Sequence, residues 1–524
     1  MNKAIYKLQL YVSETLLAAS VLLAILIFVF FVFVRTQKLP NLAAILPADA
    51  TYGFATLSIN DYLNSADNLP ETSLFAPSNL QVPFEYYLGS DYSKLDFIGD
   101  DLGFAYVNEY PVFFFKIKSE KKAMNYMKTL LVEGETLTEN AEIYSYPVSH
   151  PAAFTFLKGL LVISPDTDVL KSIAAAAKGE VENVESTGDY KNLRTRLPYY
   201  SSGFAYLNLP KTRLHIAQAM AKTGINEPSF MEAVFQLFPA FGATVDMGAG
   251  IWRIQTFTAV DKSRIGGVAL FKYDTKYEQN FLPYLPEGFL FEWGGHNLKA
   301  QTFRMMDLLN NLHSSAALLF ESGLQAAADK YFGEGMDLAA EVYPLLDGEF
   351  LYAFNNSFVL MLELDEGENS QAYKLRDLFA RTYRYKNEIP VEVEIDGQKI
   401  SETRAELSPI SQSEMNYEGR DYVQWKAGDT LVANIAILSD MVIITGNDKD
   451  FLSILDVKDG RGEGRSLRDY GQLLSGSDEI SVLHTELIPE GNVLRAIFDG
   501  FTSFATTRKV FDDGIFTRHS LLFK

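Results

Sequence analysis

Cysteine is absent from the 524-residue chain. That excludes disulfides, thiol nucleophiles, iron–sulfur clusters and every cysteine-containing zinc site. It leaves the compartment open, since an exported bacterial protein and a cytosolic one can both do without cysteine. Histidine is scarce: the six are His150, His215, His296, His313, His484 and His519. None stands at metal-ligand spacing to another and no His-Glu-x-x-His motif occurs, so each reads as a surface or hydrogen-bonded core residue. No Gly-x-Ser-x-Gly elbow supports a scattered Ser–His–Asp triad. Positive charge is also short, with 46 Lys and Arg against 67 Asp and Glu, a formal charge of −21. A body this acidic repels phosphate, so neither nucleic acid nor a broad anionic lipid surface is expected as a partner. The polar, glycine-rich "DGRGEGRS" at 459–466 lacks the Gly-Lys-Ser/Thr end of a phosphate loop and follows a helical pattern, so it reads as a mobile connector.

Long apolar runs are equally rare, with one exception. "TLLAASVLLAILIFVFFVFV", 15–34, carries no charge, and as a helix it is about 30 Å long, enough to span a bilayer. It is longer than the apolar core of a cleaved signal peptide and has no small-residue cleavage site. A transmembrane helix over 15–34 is expected, with 1–14 as a short tail and 35–45 as a juxtamembrane linker. Lys3 and Lys7 on one side balance Arg35 and Lys38 on the other, so charge does not orient it. A short tail before a long polar body suits a signal-anchor in the cytoplasmic membrane with the body extracytoplasmic. "SSAALLFESGLQAAA" is interrupted by Glu321 and Gln325 and reads as a core-facing helix, which leaves a single-pass protein.

The remainder has the composition of a folded protein, 48% hydrophobic and 22% charged, and its length calls for two or more domains. "TYGFATLSIN", "LGFAYVNE" and "YPVFFFKIK" read as strands, being aromatic and β-branched. "SEKKAMNYMKTLL" reads as a helix capped by Ser119. The pattern then repeats. "LLVISPDTDVLKSI" (160–173) returns as "MVIITGNDKDFLSI" (441–454), with Leu161, Val162 and Ile163 matching Val442, Ile443 and Ile444. "DDLGFAYVNEYPVFFFKIK" from 100 is echoed by "DGEFLYAFNNSFVLMLELD" from 347, and "LPADATYGFATL" from 46 by "LPEGFLFEWGGH" from 285. The expected fold class is α+β: the N-terminal transmembrane helix, then two tandem, similar units with mostly antiparallel sheets, 46–275 and 285–524. A hairpin near 390–406, with Asp396-Gly397 at its tip, is expected only in the second.

Two features raise the question of a site. Asp166 and Asp168 in one acid turn match Asn447 and Lys449 in the other, beside Asp448 and Asp450. Oxygen ligands this close suit calcium, but a strand-to-helix turn calls for the same residues as caps, the spacing is not an EF-hand, and Lys449 replaces an acid; capping is the expectation. Aromatic residues make up 13% of the chain, clustered in "VFFFKI", "EYY" and "PYY". Core packing accounts for them, and an apolar groove for lipid or peptide is the alternative. No catalytic, cofactor-binding or metal residue is assigned, and no cofactor is expected.

The anchor, "LPADATYGFATLSIN", "LKGLLVISPDTDVLKSIAAAAKG" and "YKNLRTRLPYYSSGFAYLNL" together resemble the bacterial membrane-anchored family known as domain of unknown function thirty-three fifty-two. The resemblance covers most of the body and is clearer in the first copy. It implies an exported envelope protein and supplies no catalytic residues. The expected function is non-enzymatic binding or scaffolding in the cell envelope, with an envelope protein as partner. A carrier or sensor of an apolar ligand is the alternative, and a hydrolase stands last.

Overall fold

The computed structural model describes residues 41–524 except 68, 72, 74, 132–135, 141, 147–151, 200, 223–234, 249, 265–276, 313, 333–336, 365–386, 396–397, 407–409, 463–476, 489–494, 496–497, 512 and 524. The expected tail 1–14, the transmembrane helix 15–34 and linker residues 35–40 therefore lie outside the described residues. Among those described, no helix is long and apolar enough to cross a membrane. From Leu42 the expected linker is core instead: Leu42, Ala43, Ile45 and Leu46 are all buried. A 3-10 turn over Leu42–Ala44 turns these apolar side chains inward. Val184 N–H then donates to the Leu46 carbonyl and fastens the segment to the body.

The protein is α+β with extensive antiparallel sheet, in two compact units. The first comprises the described residues up to Asp67, Pro77–Asn208 and Gly242–Ala249. Its strands are β1 (Thr51–Ser58), β2 (Ile98–Val107), β3 (Tyr110–Ile117), β4 (Thr138–Asn140), β5 (Ile143–Ser145), β6 (Ala153–Leu157), β7 (Leu160–Ser164) and β8 (Gly203–Asn208), with most of β9 (Ala240–Gly248). They hydrogen-bond in the order β8-β1-β2-β3-β7-β6-β5-β4, every pair antiparallel. Helices α1 (Ile59–Ala66), α2 (Pro77–Leu88), α3 (Glu120–Thr129), α4 (Thr167–Lys178) and α5 (Gly188–Arg196) complete the unit. Strand β7 is buried along its whole length, with Leu161 and Ile163 on one face and Val162 on the other. Helix α4 turns Val169, Leu170, Ile173 and Ala176 inward at three- and four-residue spacing. Gly179 closes α4 in the left-handed conformation (φ 78°), which a side chain would strain.

The second unit comprises Asn68–Ala76, Leu209–Phe241 and Gly250–Lys524. Its helices are α6 (Leu209–Lys222), α7 (Leu298–Leu312), α8 (Ser314–Phe332) and α9 (Asp448–Lys458). Its strands are β10 (Ile251–Ala259), β11 (Phe291–His296), β12 (Glu349–Phe354), β13 (Phe358–Glu363), β14 (Asn387–Ile395), β15 (Gln398–Glu406), β16 (Ile410–Tyr417), β17 (Arg420–Ala427), β18 (Thr430–Ile437), β19 (Met441–Thr445), β20 (Glu479–Leu483), β21 (Phe501–Phe511) and β22 (Gly514–Phe523). The main sheet runs β10-β22-β21-β20-β11-β12-β13-β19-β18-β17-β16, all antiparallel. β14 and β15 form a separate two-stranded hairpin; its tip, Asp396-Gly397, lies outside the described residues.

From β20 to β16 this order has the sequence ranks of β8 to β4 in the first unit. The registers correspond as well. Phe113, Phe114 and Phe115 face Ile163, Val162 and Leu161, and Leu360, Met361 and Leu362 face Ile444, Ile443 and Val442.

Alternation along β19 gives the second unit two cores. Met441 and Ile443 join Leu351, Met361, Ala436, Ile480 and the α9 residues Phe451, Ile454 and Leu455. Val442 and Ile444 join Phe350, Leu362, Trp425 and Ile435 on the opposite face. At the far end of the unit, Phe75 and Trp252 meet Phe501 edge-on, and Phe523 packs on Trp252 and Phe501.

Two glycines give opposite expectations. Gly179→Ala should cost about 1 kcal/mol by forcing a side chain into the left-handed region. Gly188→Ala, at the first turn of α5 where an added methyl meets open space, should be neutral or stabilising by up to about 1 kcal/mol. Denaturant midpoints of both variants check the pair.

Candidate functional site

The acid turns are helix caps. Asp166 accepts from the Asp168 and Val169 N–H groups at 2.8 and 3.0 Å. Asn447 accepts from Asp450 N–H at 2.7 Å, and its amide donates to the Asp450 carboxylate. Asp168 extends outward to Lys171 at 2.6 Å. Asp448 turns back instead and accepts from Asn434 at 2.8 Å and Gln424 at 3.1 Å, two buried amides of the sheet. The carboxylates are thus spent on N–H groups, and among the described residues no set of three His, Asp or Glu side chains is arranged to hold a metal ion.

His150 and His313 lie outside the described residues. His215 is half-buried on α6, and His296 is half-buried at the end of β11. His519 stacks on Phe504 and meets the Thr506 hydroxyl at 2.9 Å; burial lowers its imidazole to about 4. His484 is placed against an acid, 3.2 Å from Glu292.

That pair belongs to a buried polar group in the second unit. Tyr277, Glu292 and Glu349 are exposed by 4%, 2% and 2%. The Tyr277 hydroxyl sits over Gly294, where a methyl group would be 2.1 Å away. Glu292 and Glu349, next to that phenol, raise its pKa further after burial has done most of the work. Glu349 accepts from Asn280 at 3.3 Å and from Phe281 N–H at 3.4 Å. Burial pushes its carboxyl up to about 7, with Glu363 adding to the rise and those donors opposing it. The cluster ties the segment entering the sheet to β12. Leu351, Ile480 and Val482 share the core around Tyr277.

Among the described residues, a solvent-reachable groove of about 490 Å³ lies at the β16–β18 end of the second unit, lined by Glu414, Met415, Asn416, Asp421, Tyr422, Val423, Ile435 and Ile437. Cross-strand register builds it. Glu414 pairs with Val423 and Val423 with Ile435, while Asn416 pairs with Asp421. The floor is aliphatic and continuous with the Trp425 core; the rim carries two carboxylates, and Asn416 donates to Asp421 at 2.6 Å. The neighbouring β16–β17 turn is anchored to the end of α9, where Arg420 meets Asp459 at 2.8 Å and Arg461 meets Asp456 at 2.9 Å. The expected mobile connector at 459–466 is therefore held in place through Gly462; its remainder lies outside the described residues.

The aromatic clusters divide. Phe114 and Phe115 are core, and Phe113 lies between Phe104 and Tyr87. Tyr86 and Tyr199 are exposed, the latter beneath the Arg194 guanidinium. None of the three clusters contributes to the groove, whose aliphatic floor lies on β17 and β18.

No protein-family model and no curated protein matches the chain, so the resemblance to domain of unknown function thirty-three fifty-two rests on its quoted motifs. Among solved structures the chain is similar to crystal form III of TP0453, with a TM-score of 0.26 and 6% identity over 42% of this chain and 79% of that one. Crystal form I of TP0453 gives 0.24 and 7% over the same shares.

Removing the Asp166 cap in Asp166→Ala should cost about 1 kcal/mol, Asp168→Ala less than about 0.5 kcal/mol, and millimolar calcium should leave the melting temperature of each unchanged. Glu349 supplies the pH prediction. Its folded pKa, about 7, lies above its ordinary 4.5, so its contribution is intact below that ordinary value and is lost as pH rises through 7. Stability should fall by about 2–3 kcal/mol across this window on its account. Glu349→Gln, which keeps the protonated acid's shape, should remove that slope in melts recorded from pH 4.5 to 8.

Proposed function

We propose that the chain is a single-pass, membrane-anchored extracytoplasmic protein whose duplicated α+β body binds an envelope partner and performs no catalysis. The charge-free run at 15–34 supports the anchor, and the short tail before a long acidic body supports export. Shared strand order and register in the two units support duplication. The family resemblance points the same way.

The observation that carries the binding reading is the β16–β18 groove: an aliphatic floor open to solvent beneath an acidic rim. Pockets of this volume accommodate a small ligand or a few side chains. The floor also gives the second reading, a carrier or sensor of an apolar molecule, its one favouring feature. A hydrolase gains nothing from the His484–Glu292 pair, since Glu292 is flanked across the sheet by Ala353 and Val482.

Two measurements test the proposal. Protease added to intact spheroplasts should digest the body, and a fully protected body would overturn the export reading. A photo-crosslinking residue at Val423 should give a discrete protein adduct in intact cells, while one at exposed Tyr86 should not. Equal labelling at both positions, or none at Val423, would sink the groove as the binding face. Native mass spectrometry showing lipid bound stoichiometrically and lost in Val423→Asp would favour the carrier.

A further inference from the structure

Strand β16 is a long, exposed edge of the second unit's sheet. Its "ISQSEMNY" pairs with β17 in unbroken register over all eight residues, from Ile410 opposite Ala427 to Tyr417 opposite Arg420. Among the described residues its ladder runs to β17 alone. Residues 411–416 are exposed. Exposed edges are commonly blunted by charge, proline, a bulge, shortness or a covering segment; among the described residues β16 carries one charge, Glu414, and none of the others. Its counterpart at the end of the first unit's order, β4, has only three residues.

Alternation along β16 sets the chemistry of an added strand. Glu414 and Asn416 share a face with Asp421, Val423 and Ile435, while Met415, 39% exposed, lies at the groove's edge with its side chain on the opposite face, across from Tyr422. In a strand laid against this edge, the residue opposite Glu414 meets a carboxylate at close cross-strand range, and the next one meets a thioether. The groove lining carries Glu414 and Asp421 and no basic side chain, and the nearby Arg420 is engaged by Asp459. The −21 charge of the chain adds long-range attraction for a cation. The same charge opposes a second copy pairing through β16, since both partners would bring Glu414.

We infer that β16 is a strand-addition site for an extended peptide segment of alternating basic and apolar residues, its basic side chains turned to the groove. This rests on the binding reading above and adds the chemistry and geometry of the partner. Main-chain hydrogen bonds to the open edge supply affinity, and the carboxylate rim supplies preference.

The full chain in detergent micelles should bind a fluorescent eight-residue peptide of alternating Lys and Val saturably, and a Glu–Val peptide at least about tenfold more weakly. N-methylating the peptide amides along one edge should abolish binding, while methylating the other edge should spare it. Glu414→Lys, on an exposed position, should weaken the Lys–Val peptide about tenfold or more and leave the melting temperature unchanged. Equal sensitivity to methylation of both edges, or an affinity indifferent to Glu414→Lys, overturns the proposal. Loss of peptide binding with a persistent Val423 adduct removes strand addition and leaves the binding reading standing. Loss of both removes the two together.

Discussion

Leu160–Ser164 and Met441–Thr445 are the strands that each unit is built around, because both are buried on both faces. An antiparallel strand ordinarily shows one face to water. These two cannot, since every side chain they carry is apolar or a small hydroxyl. Removing one such Ile or Val from water is worth about 1.5–3 kcal/mol, so cover is required above and below. In the second unit Phe451, Ile454 and Leu455 of α9 cover one face, while Trp425, Phe350 and the edge of α7 at Leu298 fill the other. Toward the sheet's end that second cover thins, and Val423 and Ile437 remain only partly buried. The groove lies where the layer over the sheet stops.

The buried acids occupy the opposite face and answer a different need. Tyr277 and Phe281 lie on the segment that leads into β11, and Glu349 at the start of β12 takes hydrogen bonds from Asn280 and Phe281 N–H. A carboxyl can serve there in its neutral form at little cost, whereas its anion is penalised by the surrounding aliphatics. His519 obeys the same rule with the sign reversed, since burial disfavours its cation. The interior of this unit therefore selects uncharged forms of both an acid and a base.

What could be read beforehand follows from how local each feature is. Asp166 and Asn447 cap the helices that begin beside them, and a strand–acid–helix phrase carries that information within a few residues. The apolar matches between 160–173 and 441–454 were legible for the same reason. His484 and Glu292 were not: 192 residues separate them, and strand pairing alone brings them together. The groove was hidden because its aliphatic residues look like any strand until the extent of the covering layer is known. "NLAAI" at 41–45 read as linker because nothing local marks it as core, yet Leu42, Ala43 and Ile45 are buried. Arg420 and Asp459, 39 residues apart, turn the start of a polar glycine-rich stretch into an anchored end.

The second unit is also not contiguous along the chain, and this separates the order of synthesis from the order of folding. Phe75 and Trp252 pack on Phe501, and Trp252 also on Phe523. β10 finds its β22 partner only when Gly514–Phe523 is available, from Ala259 opposite Gly514 to Ile251 opposite Leu522. Contacts this distant in sequence are slow to close. A nascent chain that has made Trp252 must keep that ring and the strand carrying it soluble while some 250 further residues emerge. A fragment ending near 275 would hold Phe75 and Trp252 without Phe501 and Phe523. Its unmet aromatic surface makes it prone to association rather than a miniature of the parent.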